Sequence, residues 1–160
     1  MARRNLLILV YFIVGIAIAT AAYIQDVYPI ERAIGFLSRA QSAGYSDDMA
    51  RYAVEALLLI PREGNPVWLF PTIRTDFSLI RNDISSIIDR LRSISNVPHE
   101  SAAYAQTLND LRGKIAVLTN QLYEAMPYVI FKPINIVAAL AYLISPFIVR
   151  KIINSAKRKK

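Results

Sequence analysis

The chain has 160 residues, of which 54% are hydrophobic and 19% are charged. This apolar composition excludes a disordered protein, and the absence of cysteine excludes disulfide scaffolds, thiolate metal sites and cysteine catalysis. The net charge of +7 fits either a nucleic-acid-binding protein or a membrane protein with charged ends, and the position of the charge distinguishes these classes.

The first predicted element is a membrane span. Residues 6–24 carry no charge, and at about 1.5 Å per residue they nearly cross a hydrocarbon core about 30 Å thick. A cleaved signal peptide is the alternative, because the sequence ATA at 19–21 resembles a cleavage site. The apolar run is longer than most signal cores, so we expect an uncleaved transmembrane helix over residues 6–27, after a cytoplasmic tail of residues 1–5.

Helical periodicity predicts two short helices after this span. Residues 30–42 are expected to continue the span as a helix that bends near Pro29. Ser46 is the predicted N-cap of a second helix, which Pro61 ends.

Two longer helices follow, and their apolar residues recur at alternating steps of three and four. The first begins after the candidate N-cap Thr75, and the second runs to about Met126. The recurring residues are Phe77, Ile80, Ile84, Ile87, Leu91 and Ile94, then Tyr104, Leu108, Leu111, Ile115, Leu118, Leu122 and Ala125. This pattern is a coiled-coil seam, and the short connection at residues 95–99 makes the two helices antiparallel neighbours. We predict an all-α fold in which residues 28–127 form an extracytoplasmic helical bundle with a long antiparallel helical hairpin.

The segment 61–72 is predicted to be a loop from its proline and glycine content, yet its centre is apolar. Trp68, Leu69 and Phe70 lie there between two prolines. Three interpretations are open: the loop caps the core of its own domain, contacts a partner subunit or dips into the lipid interface.

A second span is predicted over residues 128–149, with an uncharged core from Pro133 to Val149. Lys132 lies near one end, where its side chain can reach the headgroups, and Pro146 is expected to kink the last turns. A buried core helix of a soluble protein is the alternative, but the basic tail of residues 150–160 favours a span.

The excess positive charge lies entirely in the two tails. They hold eight basic and no acidic residues, whereas residues 6–149 hold eleven basic and twelve acidic residues, a sum of −1. The basic tail residues are Arg3, Arg4, Arg150, Lys151, Lys157, Arg158, Lys159 and Lys160. By the positive-inside rule, we expect a plasma-membrane protein with both termini cytoplasmic and the central domain outside. We expect no nucleic-acid binding, because we find no basic residues interleaved with aromatic residues in the central domain.

Side chains that carry chemistry are scarce. His99 is the only histidine and is expected to be an ordinary loop residue. No zinc-protease, phosphate-loop, serine-hydrolase or EF-hand motif is present, so we expect no enzyme, no catalytic residue, no cofactor and no metal site. Gly15 and Ala19 form a small-xxx-small pair of the kind that packs against other membrane helices.

The stretch from Gly64 to Ile80, which contains GNPVWLFPT and TDFSLI, is similar to small membrane proteins of ammonia-oxidising archaea. Together with the two predicted spans, the layout resembles an accessory subunit of the archaeal membrane ammonia monooxygenase. The resemblance implies a structural subunit of a copper-dependent membrane complex whose metal sites lie on other chains.

The leading hypothesis is a non-catalytic accessory subunit that stabilises other membrane subunits through its spans and its outer helical domain. Trp68, Leu69, Phe70, Gly15 and Ala19 are the predicted contact residues; the lipid bilayer and further copies of the chain are the other expected partners. The alternative is an extracytoplasmic four-helix sensory or ligand-binding module that signals through a separate protein.

Overall fold

The computed structural model describes residues 2–158, and six α-helices account for most of them. They are α1 (Ala2–Ala22), α2 (Tyr28–Ser42), α3 (Ser46–Leu59), α4 (Phe77–Ser93), α5 (Ala102–Val129) and α6 (Pro133–Arg158). A π-helical turn, Tyr23–Val27, joins α1 to α2, and a 3₁₀ turn, Ile73–Thr75, precedes α4. No strand occurs within the described residues, and the predicted all-α class is confirmed.

Helices α1 and α2 form one continuous rod that widens for a single turn. Pro29 has no N–H to donate to the carbonyl of Gln25, four residues back, and its ring crowds that carbonyl. The chain accommodates this with the π turn, in which the Tyr28 N–H donates to the carbonyl of Tyr23, five residues back. The disturbance predicted near Pro29 is therefore a widened turn on its N-terminal side.

Helices α2 to α5 form an up-and-down four-helix bundle. Each packs against the next one in the chain, and α5 closes the ring by packing against α2. Of the seam residues predicted on α4 and α5, all are buried except Ile94, which packs against the core while half-buried. The predicted coiled-coil seam is therefore one side of the bundle core, and α2 and α3 supply the other side.

Two predicted N-caps are wrong. Helix α3 begins at Ser46 itself, whose N–H donates to the Tyr104 hydroxyl at 2.8 Å. Helix α4 is capped by Asp76, because its carboxylate accepts from two N–H groups of the first turn, while Thr75 is buried in the preceding 3₁₀ turn. A hydrogen bond from the Ser78 hydroxyl, together with those N–H groups, holds the pKa of Asp76 below its ordinary value.

The bundle has a span end and a distal end. Helix α2 starts and α5 finishes at the span end, next to α1 and α6. Because the four helices alternate in direction, the connection between α3 and α4 also lies at the span end. Residues 43–45 and 94–101 connect the helices at the distal end. The apolar loop of residues 61–72 is therefore on the same side of the bundle as the spans.

Two helical segments of the described chain are long and apolar enough to cross a membrane, by length and hydropathy. They are Asn5–Ser42 and Ala102–Lys151, and each contains one of the two predicted spans. Helix α6 begins at Pro133, whereas residues 128–129 still belong to α5. It passes through Pro146 without ending, so residues 150–158 of the basic tail are helical.

Candidate functional site

A tyrosine clasp joins α1 to α6 within the predicted spans. The rings of Tyr11 and Tyr142 stack with their centroids 4.3 Å apart. The Tyr142 hydroxyl donates to the Tyr11 carbonyl at 2.8 Å, and the Tyr11 hydroxyl donates to the Tyr142 carbonyl at 3.3 Å. This reciprocal pair gives each hydroxyl group a partner within the protein, as a transmembrane location of the two helices would require.

Two neighbouring residues allow the clasp to form. Pro146 has no N–H, so it leaves the Tyr142 carbonyl free to accept from Tyr11 and from the Ser145 hydroxyl, 2.7 Å away. Gly15 faces the Tyr142 hydroxyl, and a Cβ at this position would overlap it. Gly15 therefore supports packing between the chain's own spans, and its contact with a partner stays a prediction.

A polar cluster joins the spans where they meet the bundle. The Lys132 Nζ lies 2.5 Å from one carboxylate oxygen of Asp26, and the Asn135 amide donates to the other oxygen at 2.8 Å. The Asp26 side chain is only 9% exposed, and that of Lys132 is 39% exposed. An isolated carboxylate at this site would be costly, so the two charges depend on each other. Asp26, Lys132 and Asn135 are termed the junction cluster.

The order of these contacts makes α1 and α6 antiparallel, because Tyr11 faces Tyr142 and Asp26 faces Lys132. Both tails therefore leave the spans at the same end, away from the bundle. Of the basic tail residues predicted to set the topology, Arg150 and Lys151 are exposed at this end. The backbone is helical at Arg3, Arg4, Lys157 and Arg158, and the described residues do not include Lys159 and Lys160. The side of a membrane that this end faces stays a prediction.

The break between α5 and α6 is tied to the apolar loop. The Asn135 N–H donates to the carbonyl of Lys132 at 2.9 Å instead of to that of Phe131, the residue four positions back. The Phe131 carbonyl instead accepts from the indole N–H of Trp68, at 2.8 Å. The only tryptophan of the chain is thus bonded to the segment that starts the second span.

Hydrogen bonds at its base hold the loop in one shape. The Asn65 amide donates to the Thr72 carbonyl at 2.7 Å, and its side-chain oxygen accepts from the Val67 N–H and the Thr75 hydroxyl. Gly64 has a φ of +102°, a conformation that a side chain would strain. The Asn65 side chain therefore joins the start of the loop to its end, at residues 72 and 75.

The loop tip points away from the bundle core. Leu69 is 66% exposed, Phe70 is 79% exposed and Ile73 is 80% exposed, while Trp68 is 45% exposed. Leu69 and Phe70 therefore do not cap the core of their own domain, whereas Pro66 is buried and Val67 is half-buried. Contacts with a partner subunit and with lipid are the interpretations left.

An apolar cleft of about 650 Å³ separates the spans between the tyrosine clasp and the junction cluster. Small residues line it from both sides, among them Gly15, Ala19 and Ala22 on α1 and Ala138 and Ala139 on α6. The two span residues predicted to contact a partner therefore share one surface.

The arginines of α2 pack against aromatic rings of the same helix. The Arg32 guanidinium lies 6.0 Å from the Tyr28 ring centre and 5.8 Å from that of Phe36, and Arg39 lies 5.6 Å from the Phe36 ring centre. Basic and aromatic residues are therefore interleaved in the central domain, contrary to the expectation from the sequence. Within this helix the pattern forms local cation–π contacts.

Within the part of the chain that the structure describes, no group of three or more histidine or acidic side chains is arranged to hold a metal ion. His99 lies between Tyr45 and Tyr104, with ring centroids 5.2 Å and 4.8 Å away.

Comparisons with known protein families, curated proteins and solved structures found no match to this chain.

Sequence reasoning missed the clasp and the junction cluster, because each joins residues more than a hundred positions apart. Tyr11 and Tyr142 lie inside apolar runs, where a tyrosine gives no signal of its partner. The junction cluster did leave a signal: Asp26 and Lys132, of opposite charge, lie at the bundle-side ends of the two predicted spans.

Proposed function

We propose that this chain is a non-catalytic structural subunit of a membrane protein complex, and that a transmembrane helix of another subunit packs into the cleft between its two spans. The observation that carries the proposal is the cleft itself. Its own spans meet at the clasp and at the junction cluster, and between these points about 650 Å³ is left unfilled.

The residues around the cleft suit a helix better than disordered acyl chains. Ala19 and Ala22 on one side and Ala138 and Ala139 on the other allow a third backbone to approach closely. In lipid, helices associate through such close packing rather than through the hydrophobic effect. The clasp and the junction cluster already fix α1 and α6 relative to each other. Binding of a partner helix would therefore cost little conformational entropy in ordering these two helices.

The proposed orientation places both tails in the cytoplasm and the bundle outside the plasma membrane. It is supported by eight basic residues in the tails against a sum of −1 elsewhere. The antiparallel spans bring the two basic tails to one end, as this orientation requires.

The resemblance of residues 64–80 to proteins of ammonia-oxidising archaea suggests a particular host complex. In this form of the proposal, the partners are subunits of an archaeal membrane ammonia monooxygenase, and the copper ligands belong to those subunits. This chain would then act by placing and stabilising its partners.

The experiment compares two identical substitutions on α1 during native purification of the complex from membranes. Ala19→Leu fills the cleft, whereas Ala17→Leu adds the same side chain at an exposed position of α1 outside the cleft lining. Overpacking costs about 1–3 kcal/mol, so we expect Ala19→Leu to lower the co-purified partner fraction by about tenfold and Ala17→Leu to leave it unchanged.

Mass spectrometry of the purified material identifies the partners. Equal recovery of partners with both variants would reject the cleft as the docking surface. Isolation of the chain as a homodimer that binds a small molecule, with no other subunit, would reject the subunit proposal and favour a sensory module.

A further inference from the structure

We propose that the loop between α3 and α4 is a third membrane contact, in which Trp68, Leu69 and Phe70 enter the boundary between lipid headgroups and acyl chains. This anchor needs no partner subunit, but it shares with the proposed function the placement of α1 and α6 in a membrane. It rests on the predicted membrane placement of the two spans and on three observations about the loop.

The first observation is the position of the loop. The alternating direction of the bundle helices places it at the span end. The Trp68 indole N–H is bonded to the Phe131 carbonyl, two residues before α6 begins. Lys132, the next residue after Phe131, pairs with Asp26, and this ion pair marks the level where charged groups begin. Trp68 therefore lies at the height of the headgroups, where tryptophan is enriched in membrane proteins.

The second observation is the contrast between the two ends of the bundle. The connection between α3 and α4 exposes Leu69, Phe70 and Ile73 at the span end of the bundle. At the distal end, residues 95–101 read SNVPHES and are mostly polar, and the exposed aromatic residue of the other connection is Tyr45, which carries a hydroxyl group. An exposed apolar tip occurs where lipid can cover it, whereas the connection that faces water is polar.

The third observation is the rigid base of the loop. The Asn65 side chain forms hydrogen bonds with the Thr72 carbonyl and the Thr75 hydroxyl, which fixes both ends of the segment that carries the exposed residues 68–70. A tip that is already ordered loses little conformational entropy when it inserts. Arg74, just behind the tip, pairs with Glu124 on α5, so its charge is held away from the apolar side chains.

The test uses the full chain, reconstituted without other subunits into phosphatidylcholine vesicles. Because Trp68 is the only tryptophan, its fluorescence reports this loop directly. We expect lipids brominated near the top of the acyl chain to quench Trp68 more strongly than lipids brominated near the end. Iodide in the buffer should quench it several-fold less than free tryptophan amide.

Two matched double variants carry Trp68→Phe and a new single tryptophan elsewhere. In one, Phe70→Trp places the tryptophan at the loop tip; in the other, Val117→Trp places it at an exposed site midway along α5. We expect the tip probe to be shielded from iodide and quenched by shallow brominated lipid, and the α5 probe to behave in the opposite way. If the tip probe is as accessible to iodide as the α5 probe, the lipid anchor is ruled out and the tip is left as a contact for protein.

Discussion

Among single residues, Asp26 and Lys132 form the ion pair with the greatest expected effect on stability. The pair of Asp48 with Arg51 and that of Glu124 with Arg74 have side chains between 47% and 64% exposed. The Asp26 side chain is 9% exposed by comparison. Exposed pairs contribute at most about 1 kcal/mol, because water and salt screen them, whereas removal of one partner from a buried pair leaves a charge without compensation.

Replacement of the lysine tests this difference. Lys132→Ala leaves the buried Asp26 carboxylate without its counter-charge, and we expect a loss of about 1–3 kcal/mol in the free energy of unfolding. Asp48→Ala, which breaks an exposed pair, should cost less than about 1 kcal/mol. Denaturation in detergent micelles, followed by circular dichroism, measures both. Equal losses would show that the junction cluster does not hold the spans to the bundle.

At the scale of elements, the core of α4 and α5 was predictable because helical periodicity is a local property of the sequence. Every seven residues the pattern repeats, and the buried faces follow it. The junctions between elements were not predictable. The π turn before Pro29 depends on a hydrogen bond from the Tyr28 N–H to the carbonyl of Tyr23, five residues back. The break before Pro133 depends on a donor for the Phe131 carbonyl, and that donor is Trp68, 63 residues away.

The candidate site shows the same division. The small residues Gly15 and Ala19 could be recognised from their spacing, since that spacing places them on one helix face. The clasp that bounds the cleft could not, because it requires Tyr142 to meet α1 in a register that only the packed bundle sets. The exposure of the loop tip likewise depends on the bonds of Asn65 at its base.

The seam itself makes a prediction at this scale. Leu111 is fully buried on α5, and Val117 on the same helix is 54% exposed. Leu111→Ala should lower the free energy of unfolding by about 2–5 kcal/mol, because it removes buried methyl groups and leaves a cavity. Val117→Ala should change it by less than about 0.5 kcal/mol. Denaturant titration of the two variants gives both values, and a similar loss for both would contradict the assignment of the bundle core.

For the whole molecule, the proposed function depends on which side of the membrane each end occupies. The tails and the distal end of the bundle lie on opposite sides of the spans. Charge decides the expected orientation, because all of the excess positive charge is in the tails. Docking of a partner helix and insertion of the loop tip at the outer interface both assume this arrangement.

Single cysteines test that arrangement most directly, because the chain has none of its own. Asn96→Cys places a thiol in the exposed distal connection, and Ser155→Cys places one at an exposed position of the basic tail. A membrane-impermeant maleimide applied to intact cells should label Asn96→Cys, and it should label Ser155→Cys only after the membrane is permeabilised. Labelling of Ser155→Cys on intact cells, or protection of Asn96→Cys, would contradict the two-span orientation.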